Sequence, residues 1–106
     1  MDMFMTDYAE ASVSVLMTHP IGLHARPSVK LTKLAKSFAS RIEIAVEEGG
    51  PWIDAKSIVK VMAAKAPGKR LLHLRASGAD ADEALAALAE LVRRDFDEGT
   101  SDAAHP

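Results

Sequence analysis

Apolar and polar residues alternate with period two in three segments of the chain, which is the pattern of a strand that buries one face. The apolar positions are Val13, Val15 and Met17 in the first segment, Ile42, Ile44 and Val46 in the second, and Leu72, Leu74 and Ala76 in the last. Residues 47–51, Glu-Glu-Gly-Gly-Pro, predict a hairpin turn, and a short further strand is predicted at Trp52–Ile53. The pattern therefore predicts four strands.

Three other segments repeat apolar residues at helical spacing. The first helix is predicted to start at Pro27, because the N–H that proline lacks has no partner in the first position of a helix. Its apolar face is predicted to hold Val29, Leu34, Ala35 and Phe38. The second helix follows Ser57, a preferred N-cap residue. The third helix carries the apolar stripe Leu85, Leu88, Val92 and Phe96.

The order of these elements, β-α-β-β-α-β-α, predicts an α+β fold. We expect a four-stranded antiparallel sheet with three helices on one face and the other face open to water. A chain of 106 residues fits one domain, which we place at residues 12–98. Residues 1–11 show no periodicity and residues 99–106 are small and polar, so a loose leader and a mobile tail are predicted.

Composition narrows the classes of function. The formal net charge is -2, so no overall field draws the protein to nucleic acid or to an anionic membrane surface. There is no cysteine, and no spacing of His, Asp and Glu indicates a metal site, so neither metal nor cofactor is predicted. No segment has the length of a membrane span, and the first residues lack the features of a secretory signal. We therefore expect a cytoplasmic protein that does not insert into the membrane.

The segment Gly22–Pro27, Gly-Leu-His-Ala-Arg-Pro, carries the candidate chemistry. It joins a turn to the first helix, and a helix N-terminus offers unpaired N–H groups and the positive end of the dipole, which together bind phosphate. His24 supplies a nucleophilic imidazole there, and Arg26 supplies a permanent charge with a planar set of donors. No general base or metal cluster accompanies them, so these residues suit a transferred phosphoryl group better than a hydrolysed one.

A single histidine or arginine at a helix start is more often structural than functional, but the complete hexapeptide at a turn-to-helix junction favours function. It resembles the active-site signature of the HPr phosphocarriers of bacterial sugar phosphotransferase systems. Ala55–Ile58, Ala-Lys-Ser-Ile, resembles the second signature of that family, and the order of elements over residues 12–96 is similar to its open-faced β-sandwich. Ser28 departs from the pattern, because alanine is common there.

The resemblance implies a role for each matching residue. His24 would accept a phosphoryl group on Nδ1 from the phosphohistidine of Enzyme I, which phosphoenolpyruvate charges, and would pass it to a histidine of an Enzyme IIA domain. Arg26 would stabilise the transferring group, and Pro27 would start the helix. Ser57 would be the regulatory target of an HPr kinase/phosphorylase. Such a protein is a carrier with a covalent intermediate and not a turnover enzyme on its own.

The resemblance also implies a docking surface for these partners. Its members would be three apolar residues, two lysines and two neighbours of the phosphoryl-carrying histidine: Ile58, Val59, Met62, Lys33, Lys36, Ala25 and Pro27. An apolar centre with a charged rim suits the transient association of a monomer with several partners.

Other functions stay open on the sequence alone. A nitrogen-regulatory carrier, or one that feeds a dihydroxyacetone kinase, would use the same His24 chemistry. A small α+β module that binds RNA or a ligand is more distant, since the strands lack the aromatic pair on which RNA readers stack bases. His24 also argues against a purely regulatory relative without transfer activity. Of the other histidines, His19 is predicted only to line the turn, and His73 and His105 are given no role.

Overall fold

A computed structural model describes residues 10–97 of the chain. Its strands are β1 (Glu10–Leu16), β2 (Arg41–Ala45), β3 (Ile53–Asp54) and β4 (Leu71–Ser77); its helices are α1 (Ala25–Lys36), α2 (Ile58–Ala64) and α3 (Ala81–Arg93), followed by a 3-10 turn at Asp95–Asp97. No helix within residues 10–97 is both long enough and apolar enough to cross a bilayer. The predicted leader and tail lie outside the described residues, except that Glu10 and Ala11 already belong to β1.

The four strands form one antiparallel sheet in the order β1-β4-β2-β3. The central strand β4 places Leu74 opposite Val13 of β1 on one side and opposite Ile44 of β2 on the other. Leu74 and Ile44 are fully buried, because alternate residues of each strand point toward the helices. The predicted order of elements and the antiparallel sheet are confirmed.

The two faces of the sheet differ in chemistry. The covered face packs against all three helices through the core residues Val15, Leu31, Ile42, Ile44, Val61, Leu72, Leu74, Leu88 and Val92. On the open face, the Ser14 hydroxyl lies 2.7 Å from Nδ1 of His73. Arg75 there donates to the Glu43 carboxylate at 2.8 Å, and its guanidinium carbon lies 4.3 Å from the centre of the Trp52 ring. The open face is therefore tied together by polar contacts between strands.

The first helix differs from the prediction in its start and in its buried face. It begins at Ala25, so Pro27 is its third residue, where the missing N–H is still one of the first four without a partner inside the helix. Val29 is 44% exposed. The buried residues are Pro27, Ser28, Leu31, Thr32 and Ala35. Of the predicted face, Ala35 is buried, and Leu34 and Phe38 pack against the core, although Phe38 lies beyond the end of α1. The prediction named only apolar residues, whereas α1 also buries polar ones; the Ser28 hydroxyl donates to the carbonyl of Leu23 at 3.2 Å.

Phe96 is buried as its apolar stripe predicts, but it does not belong to α3. The helix ends at Arg93, and Phe96 reaches the core from the following turn, where its φ is 56°. The Lys30 ammonium donates to the Phe96 carbonyl at 2.8 Å. A lysine of α1 therefore holds the turn that follows α3.

Candidate functional site

His24 occupies the N-cap position of α1. Its backbone is extended, with φ -85° and ψ -164°, and its carbonyl accepts the first helical hydrogen bond from the amide of Ser28 at 3.0 Å. Its side chain makes no capping hydrogen bond, and the first turn of α1 contains no acidic residue. The amide donors at this helix end are therefore not capped by His24, and no carboxylate on the first turn offsets the positive end of the dipole.

The turn that precedes α1 packs backbone against backbone on the loop between α2 and β4. Gly22 has a φ of +85°, and a Cβ on it would lie 2.3 Å from the carbonyl oxygen of Ala66. A Cβ on Gly68 would lie 2.0 Å from the carbonyl oxygen of His19. The Leu23 amide donates to the Ala66 carbonyl at 3.0 Å. Only glycine fits at positions 22 and 68, and these contacts fix the position of the turn and therefore of the start of α1.

The imidazole of His24 is half-buried. Its Nε2 is enclosed and has no hydrogen-bond partner. In a neutral imidazole one nitrogen carries the proton and the other has a free lone pair. Because Nε2 is the enclosed nitrogen, Nδ1 is the atom left to react with an incoming group.

His19 contacts His24, a role that the sequence did not reveal. The centres of the two rings are 5.4 Å apart and their planes are inclined by 48°. Nδ1 of His19 accepts a hydrogen bond from the amide of Ile21 at 3.1 Å. The available signal was a second histidine five residues earlier, beyond a Pro-Ile-Gly turn that could fold it back.

Arg26 and Ser57 lie where the sequence places them. Arg26 is exposed at the second position of α1, so it shares one helix end with His24. Ser57 is half-buried and is the N-cap of α2, where its hydroxyl accepts a hydrogen bond from the Lys60 amide at 3.3 Å. The helices α1 and α2 are neighbours in the fold.

Most of the predicted docking residues are on the surface. Those that are exposed or half-buried are Ala25, Lys33, Lys36, Ile58, Val59 and Met62. Val59 is 75% exposed and Met62 is 42% exposed. Pro27 is instead buried, because the early start of α1 turns it toward the core. Ile21 was not among the predicted docking residues, but it is 62% exposed in the turn before α1. The sequence signal for it was an apolar side chain between a proline and a glycine.

An imidazole nitrogen, an exposed guanidinium and a helix end that the His24 side chain does not cap thus share the N-terminus of α1. Among residues 10–97, His, Asp and Glu side chains form no group of three or more that could hold a metal ion. This arrangement can hold a phosphoryl group by its charge and exchange it at one nitrogen.

The family model for the phosphorylation site of the PTS HPr component matches residues 11–94. The chain belongs to the HPr family. The phosphocarrier protein HPr of Cupriavidus necator is 42% identical over 79 residues, which cover 74% of this chain and 86% of that protein. The phosphocarrier protein NPr of Escherichia coli is 32% identical over 85 residues, 80% of this chain and 93% of that protein.

Solved structures of the HPr family agree with this assignment. A crystal structure of HPr from Thermoanaerobacter tengcongensis has a TM-score of 0.76 at 32% identity and covers 83% of this chain and 97% of that one. As a member of the HPr family, the protein is a phosphocarrier of the phosphotransferase system. The RNA- or ligand-binding alternative is therefore set aside.

Proposed function

We propose that His24 carries the phosphoryl group, taking it from Enzyme I and delivering it to Enzyme IIA domains of a sugar phosphotransferase system in the cytoplasm. One observation carries this proposal: the imidazole sits at the uncapped N-terminus of α1 with Nε2 enclosed and Nδ1 left to react. An anion attached to Nδ1 is close to amide donors that have no partner within the helix.

Each transfer exchanges one nitrogen–phosphorus bond for another. In the first, the lone pair of Nδ1 bonds to phosphorus while the nitrogen–phosphorus bond of the donor phosphohistidine breaks and its electron pair returns to the donor ring. In the second, a histidine of the Enzyme IIA domain attacks the same phosphorus, and Nδ1 leaves with its electron pair. Nδ1 needs its lone pair before the first step, which requires the neutral tautomer with the proton on Nε2.

The N-terminus of α1 and Arg26 stabilise the negative charge of the transferring phosphoryl group. Amide donors at a helix N-terminus and the positive end of the dipole stabilise phosphoryl oxygens. Arg26, two residues after His24 and exposed, adds a charge that stays constant over the working pH range. Positioned charges of this kind supply most of the catalysis in phosphoryl transfer.

Ser57 is proposed as the target of an HPr kinase/phosphorylase. A phosphate on its hydroxyl would add about 1.5 to 2 negative charges at the start of α2, where the dipole favours them. The fold should therefore tolerate it. The same charge would stand two residues before the exposed Val59 and five before the exposed Met62, and a partner that covers these residues would have to desolvate it.

The docking surface is proposed to consist of Ile21, Ala25, Lys33, Lys36, Ile58, Val59 and Met62. Its exposed apolar side chains come from the turn before α1 and from α2, and the lysines of α1 add positive charge. A surface of this kind suits a monomer that binds and releases several partners in turn.

The deciding experiment incubates the purified chain with Enzyme I and labelled phosphoenolpyruvate and then maps the modified residue. An acid-labile label on His24, absent from His24→Ala, is expected. A label on another residue, or an equal label on the variant, would contradict the proposal. Repeating the assay with a nitrogen-branch Enzyme I, and coupling it to a dihydroxyacetone kinase, identifies which branch the carrier serves.

A further inference from the structure

We propose that His19 is a positioning residue for phosphoryl transfer, which holds the imidazole of His24 in the orientation that presents Nδ1. This inference rests on the proposed role of His24. No hydrogen bond orients the His24 ring: its side chain makes no capping hydrogen bond, and its Nε2 is enclosed without a partner. Packing must therefore set its rotamer.

The ring of His19 provides that packing. Its centre lies 5.4 Å from the centre of the His24 ring, within the range of distances that aromatic pairs favour, and the two planes are inclined by 48°. His19 is itself half-buried, so the contact is partly shielded from water. A flip or large tilt of the His24 ring would disturb this contact.

His19 is itself held in place through both its side chain and its backbone. Its Nδ1 accepts the amide hydrogen of Ile21 at 3.1 Å, which requires the neutral ring to carry its proton on Nε2. Its backbone carbonyl touches Gly68 so closely that a Cβ there would lie 2.0 Å away. The side chain is thus tied to its own turn, and the turn is tied to the loop after α2.

The substitution His19→Asn tests the contribution of the ring contact separately from that of the turn. An Asn side chain commonly accepts the amide hydrogen two residues later, which is the bond that His19 makes to Ile21. His19→Asn therefore keeps the turn and removes the ring. The matched control is His73→Asn, since His73 lies on the open face of the sheet beside Ser14.

Steady-state transfer from Enzyme I tests the inference in the full chain. With His19→Asn we expect kcat to fall about tenfold, because a reacting atom displaced by a fraction of an ångström loses much of its rate, while the KM for the carrier changes less than about twofold. His73→Asn should match the parent. An unchanged kcat, or an effect on KM alone, would overturn the proposal.

Ring-nitrogen NMR gives a readout that does not need the reaction. In the parent, we expect the His24 ring to show one well-defined set of ring shifts; in His19→Asn, these shifts should move and broaden, because the ring samples several orientations. Identical His24 shifts in the two proteins would count against the contact. If the parent itself takes no label on His24, the proposed function fails, whereas a labelled parent with an equally fast His19→Asn variant fails only this inference.

Discussion

The helices α1 and α2 are neighbours, yet their N-cap residues treat the start of the helix in opposite ways. At α2 the hydroxyl of Ser57 accepts the amide hydrogen of Lys60, so the side chain occupies one of the free donors. At α1 the imidazole of His24 bonds to no amide of its helix, and the donors of that end have no side-chain cap from it. The start of α2 is capped by its own N-cap side chain, whereas the start of α1 is not, which is consistent with the proposal that an external phosphoryl group binds there.

The cost of leaving α1 uncapped is offset outside the helix. The turn before it is held by the tight approach of Gly22 to Ala66 and of Gly68 to His19. The start of α2 combines its serine cap with tertiary hydrogen bonds, from the Lys56 ammonium to the Phe38 carbonyl at 2.7 Å and from the Ala55 amide to the Ile42 carbonyl at 2.9 Å. The two helix starts therefore differ in whether the N-cap side chain bonds to its own helix, while tertiary contacts support both.

Giving α1 the kind of cap that α2 has should produce the largest effect. His24→Ser removes the nucleophilic nitrogen, so transfer from Enzyme I should be lost completely. Since serine is a better N-cap than an uncapping histidine, the free energy of unfolding should stay equal or rise by about 0.5–1 kcal/mol. Labelling with phosphoenolpyruvate and urea denaturation measure the two effects. A stable variant that still takes acid-labile label would break the comparison.

Removing the charge beside His24 should have the next largest effect. Arg26→Ala is expected to slow both transfers about 100-fold, because it removes positive charge from the transition state. Arg26→Lys keeps a charge but loses the planar set of donors, so it should recover only part of the rate. Rapid-quench transfer assays compare the three proteins. If the alanine variant were as fast as the parent, the N-terminus of α1 alone would carry the stabilisation.

The tertiary support of α1 can be tested at Gly22. Gly22→Ala should lower the free energy of unfolding by about 1–3 kcal/mol, because its φ of +85° is unfavourable for alanine and its Cβ would collide with the Ala66 carbonyl. The matched control is Gly49→Ala, where a Cβ would meet nothing within 4 Å. Chemical denaturation of both variants decides the point. Equal stabilities would show that the turn is not locked as described.

Two substitutions at Ser57 separate capping from regulation. Ser57→Ala should cost about 1 kcal/mol of stability and leave the transfer rates unchanged, since it removes only the bond to Lys60. Ser57→Asp keeps an acceptor and adds a charge, so stability should change little while transfer from Enzyme I weakens. Parallel denaturation and transfer assays distinguish these outcomes. Equal transfer by parent and Ser57→Asp would remove the regulatory proposal.

The third helix start shows a smaller, pH-dependent effect. Asp80 is the N-cap of α3, but its carboxylate accepts hydrogen bonds from the Ser40 hydroxyl and from the Ala39 and Ser40 amides instead of capping its own helix. These bonds, led by that of the Ser40 hydroxyl, hold the pKa of Asp80 below its usual value.

A lowered pKa stabilises the folded state above the unfolded pKa of about 3.9, and the contribution fades as the pH falls through the lower folded value. Asp80→Asn should therefore lose stability at neutral pH and show a flatter decline in acid. Thermal unfolding from pH 7 to pH 2 follows this difference. Parallel curves for Asp80→Asn and the parent would refute the linkage.

The features that were predicted from the sequence are those with local signals. Strand alternation and turn residues predicted the order of elements, and the hexapeptide placed His24 at a helix start. Apart from the start of α1, which is a local correction, the differences concern which residues reach the core. Val29 is exposed because α1 packs through Ser28 and Thr32, and Phe96 reaches the core from a turn that Lys30 holds.

The same distinction applies within the candidate site. The N-cap role of Ser57 follows from its residue type and from the helical pattern after it. The contact between the rings of His19 and His24 depends on how the intervening turn folds, and that turn is set by residues 66–68, more than forty positions later. The local pattern of two histidines on either side of a Pro-Ile-Gly turn indicates that the rings could meet, but the distant segment decides whether they do.

The close approach of Gly22 and Gly68 to each other's segments has a consequence for protein engineering. Transplanting residues 19–24 alone into another scaffold would move only one of the two segments that pack against each other; the second is residues 66–68. The graft should present its histidine correctly only if residues 66–68 travel with it, because the receiving scaffold would otherwise have no matching backbone to grip the turn.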